Sequence, residues 1–485
     1  MIGITAYGGY IPRLRLLRQA VTEANAWYAP HLCGRQGSRS VANWDEDSVT
    51  LAVAAARDCL GAERQHLRGL LLASNTLPFA ERLNAGIAAG ALRLDESIET
   101  LDLCGTPRIG LSAVSQGLAR ARAGLGHTLV LAADQRQTRA GSTQELDYGD
   151  GAAALVLGDG PVLAEWLGSG TVSVDFIDHF RATGATVDYH WEERWVREEG
   201  VGRLVPQAIR QALAHAGVAP SAVDHFICPT PFAKLDAQLA QACGLPAGAV
   251  VDNLAQSVGD TGTPHALLML AHTLERAQPG AVVVVAQFGS GAEALVFRVT
   301  EAVRAFRPAR GVSGWLARGT PERHYSKFLA FKGLLALERG MRGEQDKKTA
   351  LSTAWRHRSA LLGLVGGRCR VSGSVHFPPS RLSLDPGQPL LDTQEPHPLA
   401  DRAARVLSWS AEYLSWHPAP PHHYGQIDFE GGGRLLMDFT DLDVGEVDTG
   451  TAMDLVFRIK DVDDRRGFTR YFWKATPVRN VPSQP

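Results

Sequence analysis

The sequence is poor in the features that mark a secreted, membrane-bound or polyanion-binding chain. Only six cysteines (Cys33, Cys59, Cys104, Cys228, Cys243, Cys369) are spread over 485 residues, without the dense spacing of a disulfide scaffold. A reducing compartment is expected, with each thiol judged by its surroundings. Neither sign of charge is in excess: 49 Lys and Arg stand against 51 Asp and Glu, a formal net charge of −2. That balance gives no reason to expect a nucleic-acid partner. No apolar run is long enough to span a bilayer, and the best candidate, AVVVVAQFG, is strand-sized. The start, MIGITAYGGYIPRLRLL, has no basic stretch followed by an uninterrupted apolar run, so no signal peptide is expected. Low-complexity tracts are missing too, and 45% hydrophobic with 21% charged residues is a globular composition. The expectations are a cytoplasmic protein, away from membranes, with two or three domains for its length.

What the sequence does have is an order of elements that occurs twice. The first copy runs GLLLAS (strand), AERLNAGIAAGALRLD (helix), IETLDL (strand), Cys104 with GLSAVSQGLARARAG (long amphipathic helix), then strands HTLVLAAD and AAALVLG. The second runs HFICPT, AKLDAQLAQACGLP, VVDNL, SVGDTGTPHALLMLAHTLERAQ, AVVVVAQFG and EALVFRV. Apolar strands alternating with helices predict a largely parallel sheet covered on both faces. Two copies of one βαβαββ-like unit predict a duplication with a pseudo-twofold axis, against the weaker alternative of two unrelated halves. The marked place in each copy is the junction of strand and long helix, LDLCGTPRIG and SVGDTGTPHA, where such sheets bind ligands. If the halves pack face to face, Cys104 and the segment from Asp260 to His265 meet at one cavity.

With these segments in place, the sequence resembles the thiolase superfamily, closest to hydroxymethylglutaryl-CoA synthases and ketoacyl synthase III-like enzymes. YGGYIPRLRL and the stretch around DEDSVTLAVAAARDCL resemble the start of the former; DYGDGAAALVLG and FGSGAEAL are similar to glycine-rich strand pairs of both. FLAFKGLLALERGMRGEQDKKTALSTAWRHRSALLGLVGGRCRVSGSVHFPPSRL resembles the helical lead-in and zinc ribbon of a thiolase-associated domain that ends in an OB-type barrel. The implied fold is α/β: a duplicated thiolase fold of five layers, αβαβα, followed by a small β-barrel. The implied domains are 1–165 and 166–300 for the two halves, 301–365 for a helical linker, and 366–485 for ribbon and barrel. The ribbon departs from its pattern. Structural zinc wants four thiolate or imidazole ligands. Here Cys369 is left with Ser372 at its partner's position, RLSLDPG lacks a second pair, and His376 would make only two ligands. No metal and no resident cofactor are expected.

Cys104 is the expected nucleophile. It follows the strand ETLDL and precedes a helix opened by GTPRIG, where the dipole and free N–H groups lower a thiol's pKa. The alternative is a small buried cysteine under the sheet. Cys228 in HFICPTPF is the rival thiol. Arg108, one turn on, is expected to add charge or hold a phosphate or carboxylate. The resemblance implies a histidine after HFIC, an asparagine at the final helix junction and a glutamate after the first strand. This sequence has Thr230 or a proline, Asp260 and Asn75 there, with Glu81 further along. His265, on the first turn of the second long helix, is either a general base or a packing histidine. The backbone near Gly289 and Gly291 is the expected oxyanion contributor, unless those glycines serve only a tight turn. Asp150 is expected to fix a turn, and the run from Asp188 to Gly200 to form a solvated helix or a lid.

The function expected from the resemblance is acyl transfer through a thioester on Cys104, from acyl-CoA or an acyl carrier protein, in Claisen or aldol condensation. Acyl transfer to oxygen, nitrogen or aromatic carbon is one alternative. A catalytically silent scaffold subunit is the other. A homodimer is implied by the resemblance.

Overall fold

The computed structural model describes all residues except 62–63, 65, 345–347, 349, 385–386 and 480–485. It contains two compact units. The first comprises Met1–Ala42, Asp47–Gly86 and Asp95–Phe328. Its first half contributes β1 (Ile2–Tyr10), α1 (Ser48–Leu60), β2 (Leu67–Ala73), α2 (Asn84–Ala91), β3 (Glu99–Leu103), α3 (Ile109–Arg122), β4 (His127–Asp134) and β5 (Gly151–Asp159). The second contributes β6 (Ala164–Ser173), α4 (Gly202–Ala216), β7 (His225–Ile227), α5 (Leu235–Ala242), α6 (His265–Leu274), β8 (Val282–Phe288) and β9 (Gly291–Val299).

Nine strands hydrogen-bond in the order β7-β8-β9-β6-β1-β5-β4-β2-β3. The pseudo-twofold lies between β6 and β1, which meet through Gly3↔Glu165 and Ile4↔Ala164. From that line outward each half repeats the other: β1, β5, β4, β2 against β6, β9, β8, β7. The duplication extends further than the repeat read in the sequence, because β1 and β6 open the two copies. The sheet is parallel only where β2 pairs with β3 and β4, and where β7 pairs with β8. The hairpins β4–β5 and β8–β9 and the central pairings are antiparallel, so the expected largely parallel sheet is instead mixed. VVDNL forms only an isolated bridge, Phe226↔Val250. Asp252 and Asn253 side chains accept from the N–H groups of Leu254 (3.2 Å) and Ala255 (3.1 Å), turning the backbone away from a strand.

The layers follow from helix patterning. On α4 the buried Leu204, Val205, Ala208, Ile209, Ala212 and Leu213 form one stripe, as an outer helix requires. Almost every residue of α6 is buried, as a helix between two sheets requires. Accordingly α1 packs on β1 and β5, α4 on β6 and β9, while α3 and α6 touch each other and strands of both halves. The central core joins Leu111, Val114 and Leu118 of α3 to Leu267, Leu268 and Leu270 of α6.

The second unit gathers Leu329–Pro485 with two short earlier segments, Asn43–Glu46 and Ile87–Leu94. The compact division therefore falls after Phe328, inside the stretch read as a linker, with which two N-terminal segments were not grouped. Strands β10 (Val365–Cys369), β11 (Val375–His376) and β12 (Gln394–Pro398) form a small antiparallel sheet. Five longer strands follow: β13 (Ala404–Glu412), β14 (His422–Phe429), β15 (Arg434–Asp438), β16 (Ala452–Asp463) and β17 (Phe468–Pro477). They pair in the order β15-β14-β13-β16-β17. The two edges meet by the parallel bridge Phe439↔Ala475, with Thr440 N–H donating to the Ala475 carbonyl at 2.9 Å, which closes a small barrel. The buried Arg458 binds Asp441 (2.8 Å) and Glu46, and the buried Lys474 binds Asp45 (2.9 Å). Among the described residues no helix is long and apolar enough to cross a membrane.

Candidate active site

Cys104 sits at the carboxyl end of β3, the edge strand of the large sheet, and is exposed. Its position is set two residues earlier. Asp102 accepts from the N–H groups of Asn84 (2.8 Å) and Ala85 (2.7 Å), capping α2 from outside; α2 accordingly starts at Asn84 rather than Ala80, and Glu81 stays outside it. After Cys104 the chain does not enter a helix at once. Gly105 to Arg108 form a loop, and α3 begins at Ile109. The thiol therefore lies more than a turn from the helix start, where the dipole has largely faded.

Asn75 holds this loop. Its side-chain oxygen accepts from Gly105 N–H at 2.8 Å, and its amide donates to Thr263 Oγ1 at 3.0 Å. Each end of the side chain thus makes a bond to the protein, across the two halves. Asp134, at the end of β4 and fully buried, accepts from Ser74 Oγ (3.1 Å), Asn75 N–H (2.8 Å), Thr76 Oγ1 (3.0 Å) and Thr263 N–H (2.9 Å). This carboxylate, unremarked in the sequence, fixes the first-half loop to the second. Its one legible signal was its place at a strand's carboxyl end.

The turn at Gly289–Gly291 presses on the same loop. A Cβ at Gly289 would lie 2.3 Å from Thr106 Oγ1, so only glycine permits this approach. Gly289 N–H donates to the Gly291 carbonyl (2.9 Å), and its own carbonyl accepts from Arg108 Nε (2.7 Å). Gly289 is a contact between halves here, with no N–H left for an oxyanion. Gly291 is needed against β6, since a Cβ there would lie 2.0 Å from the Val172 carbonyl oxygen. Arg108 does hold a carboxylate, but the protein's own: Glu293 at 3.5 Å, which also accepts from Ser112 (2.6 Å) and Ser115 (2.5 Å). The role of Glu293 was missed because FGSGAEAL reads as a glycine turn and an apolar strand.

Thr230, Asp260 and His265 line one small cleft with Asn253 and Asp147. His265 is buried and spent. Its Nδ1 accepts from Thr261 N–H at 3.0 Å, and its Nε2 contacts the Asn253 carbonyl at 2.8 Å. The neutral ring braces the loop and keeps no lone pair for a base, so the packing alternative describes it. Asp260 accepts from Gly262 N–H (2.8 Å) and faces Arg136 Nη1 at 3.7 Å. Cys228 is buried, and burial raises its thiol pKa, which removes the rival nucleophile. Asp150 accepts from Ala42 N–H at 2.8 Å and fixes β5 to the neighbouring strand Ser38–Val41.

Over Asp260 lies the segment between the halves. A two-residue pairing, His179–Phe180 with Tyr189–His190, carries charged groups inward. Asp188 binds Arg136 at 2.8 Å and Arg181 at 2.8 Å; its carboxylate and the Arg136 side chain are buried, and Arg181 is partly exposed. Burial lowers the Arg136 pKa, but Tyr148, Asp188, Asp260 and Asp134 more than offset it, and the guanidinium stays charged. Burial together with the neighbouring His179 and Arg136 pushes His190 down to about 4. The start of the run from Asp188 is therefore a cover anchored to the site. Glu193 to Val201 form an irregular helical turn whose glutamates face solvent.

Residues 213–299 match the family described as 3-oxoacyl-[acyl-carrier-protein (ACP)] synthase III C terminal. Over 312 residues the chain is 29% identical to the hydroxymethylglutaryl-CoA synthase of Caldivirga maquilingensis, covering 61% of this chain and 87% of that one. The Archaeoglobus fulgidus hydroxymethylglutaryl-CoA synthase is 27% identical over 315 residues, covering 63% and 91%. Among solved structures, an HMG-CoA synthase complexed with CoA superposes with a TM-score of 0.59 at 16% identity, over 72% of this chain and 95% of that one. The Pseudomonas aeruginosa 3-oxoacyl-(acyl carrier protein) synthase III gives 0.55 at 22% identity, over 62% and 98%. The chain is similar in sequence to hydroxymethylglutaryl-CoA synthases and shares its fold with an HMG-CoA synthase and a 3-oxoacyl-(acyl carrier protein) synthase III.

The resemblance implies a histidine, an asparagine and a glutamate where this chain has Thr230 or a proline, Asp260 and Asn75. The zinc implied by the ribbon does not fit the residues present. Cys369 Sγ lies 3.1 Å from Thr393 Oγ1 and accepts from Ser372 N–H at 3.4 Å, while Thr393 donates to Ser383 at 3.2 Å. Burial pushes this thiol up, and its hydrogen bonds with Ser372, Thr393 and Ser383 bring it down to about 6. One thiol among hydroxyls is not a zinc donor set. His376 pairs with Ser374 at 2.9 Å instead.

Proposed function

We propose that this protein is a coenzyme A thioester-dependent condensing enzyme that carries its acyl group on Cys104. The supporting observation is the placement of that thiol: exposed at a strand's carboxyl end, on a loop held by Asn75 and pressed by the Gly289 turn of the other half. A nucleophile needs access and a fixed loop, and this cysteine has both. The likeness to hydroxymethylglutaryl-CoA synthases favours an enolate acceptor and C–C bond formation of Claisen or aldol type. An acyl carrier protein is the alternative donor. On this reading the enzyme is cytoplasmic and uses no resident cofactor. It pairs as a homodimer through β3, whose outer side meets no strand among the described residues.

A second reading has support of its own. Thr230, Asp260 and Asn75 replace groups that would form and hold an enolate, and an oxygen, nitrogen or aromatic carbon acceptor does not need that set. A silent scaffold draws on the same replacements, but leaves the exposed thiol without purpose. Intact-protein mass spectrometry after incubation with a panel of acyl-CoAs separates these readings. A gain of one acyl mass, absent in Cys104→Ala, is expected. No adduct from any CoA thioester or acyl carrier protein would leave the silent subunit.

A further inference from the structure

The pairing of β1 with β6 ends at Gly3↔Glu165, and where it ends a cleft opens between the two halves. The next residues along the two strands, Ile2 and Trp166, line it together with Met1, Leu167, Arg122 and His215. Its volume is about 460 Å³, within the range of small-molecule sites. A bulge in β6 shapes it. Gly168 pairs with Val296 and Trp166 with Phe297, which leaves Leu167 out of the ladder between them. Leu167 thereby packs on the outer core and Trp166 on the central one. The equivalent bulge of β1 falls at Thr5, but Ile4 before it is fully buried. The duplication by itself therefore does not impose the cleft.

Three polar groups on its walls have no partner. Glycines place the first of them. A Cβ at Gly168 would lie 2.6 Å from Ala216 N, and one at Gly170 2.2 Å from the Ala208 carbonyl oxygen, so α4 lies directly on β6. Its last turn brings the His215 ring edge-to-face with Trp166, centroids 6.1 Å apart. His215 Nδ1 lies 3.2 Å from both the amide N and the carbonyl O of Ser169, and accepting from that N–H leaves the ring proton on Nε2. Nε2 meets no partner among the described residues. The indole N–H of Trp166 is buried and has no acceptor among them. Arg122, the last residue of α3, makes no hydrogen bond or ion pair among them either. No carboxylate lines the cleft. A buried donor without an acceptor destabilises, and an acceptor that reaches it recovers the loss.

We propose that this cleft is a second ligand site, separate from Cys104, for an amphipathic carboxylate: a singly charged acid on an apolar chain. The Arg122 guanidinium matches a carboxylate at two points, and His215 Nε2 and the Trp166 N–H are the further donors. Ile2, Leu167 and the indole ring carry the chain. One arginine balances one negative charge, which favours a carboxylate over the nearly doubly charged phosphate monoester. The ligand touches both halves, Ile2 and Arg122 of the first and Trp166, Leu167 and His215 of the second. Helix α3 runs 14 residues from Ile109 to Arg122, roughly 21 Å, so the cleft lies a helix length from the Cys104 loop. The assignment accordingly does not depend on the acyl-Cys104 reading.

Decanoate is the probe and decan-1-ol its uncharged control, each titrated calorimetrically into the full-length protein. Wild type is expected to bind decanoate saturably, with a Kd of about 1 mM or tighter. Arg122→Gln should weaken binding about tenfold or more. Trp166→Phe keeps an aromatic wall and removes the N–H, and should weaken it a few-fold. Cys104→Ala should bind as wild type does, and decan-1-ol should not bind. Melting temperatures without ligand certify the fold of each variant; Arg122 is exposed, so Arg122→Gln decides even if Trp166→Phe folds poorly. Equal binding by wild type and Arg122→Gln, or no saturation of wild type by about 10 mM, overturns the site. Decan-1-ol binding as tightly as decanoate overturns the carboxylate. Loss of binding in Cys104→Ala would place decanoate beside the thiol and overturn the cleft as its site.

Discussion

At the scale of single residues, the thiols separate by environment. Cys228 and Cys59 are buried and raised by desolvation, whereas Cys104 is exposed at a strand end. The side chains around Cys104 are mostly occupied with one another. Asn75, Arg108 and Gly289 each bridge the halves, so their substitution is expected to act on geometry more than on affinity. Asn75→Ala releases Gly105 and Thr263 together. Acylation of Cys104 should persist, while discharge to acceptor falls about tenfold to a hundredfold with little change in KM. Steady-state kinetics beside the loading assay read this split; a raised KM at constant kcat would make Asn75 a substrate contact instead.

At the scale of elements, helix starts and strand ends decide where chemistry is placed. The two GTP sequences, Gly105–Pro107 and Gly262–Pro264, precede α3 and α6 and put Cys104 and Thr261 at equivalent points of the duplication, with α3 starting one residue later than α6. The outer helix α1 carries Asp58, which accepts from the N–H groups of Gly9 (3.0 Å), Arg310 (2.6 Å) and Gly311 (3.1 Å). Burial dominates these bonds and pushes Asp58 up to about 6. A carboxyl whose folded pKa is raised favours the folded state while protonated. That contribution is complete below the unfolded value near 4 and is lost as pH rises through 6. Wild type should therefore lose about 2–3 kcal/mol relative to Asp58→Asn between pH ~4 and ~7. Urea midpoints at the two ends of this range measure it; parallel curves for the two proteins would show that Asp58 does not titrate there.

At the scale of the molecule, the barrel unit buries charge rather than metal. Arg458 meets Glu46 and Asp441 with almost no exposure on any side chain. Arg458→Ala would strand two buried carboxylates, so a loss of about 3–5 kcal/mol is expected in denaturant melts. The ribbon gives the opposite expectation. With hydroxyls around Cys369, a strong chelator should leave the melting temperature unchanged. A drop of several degrees would show a bound metal and restore the zinc ribbon.

Much of this was legible in the residues. Alternating apolar runs, repeated in the same order, determine two α/β halves, because burying such strands requires helices on both faces. The glycines of FGSG and the cysteine after ETLDL marked the two loops that meet, and the single cysteine of the ribbon marked a donor set that does not fit zinc. Those are properties of composition and local spacing, which a chain carries before it folds. The mixed sheet, the partners of Asn75, Arg108 and Glu293, and the anchored cover depend on residues 30 to more than 180 positions apart. Whether His265 keeps a lone pair is likewise set by which backbone and side chains lie within about 3 Å, the range over which a hydrogen bond acts. Only the tertiary structure brings such groups into that range.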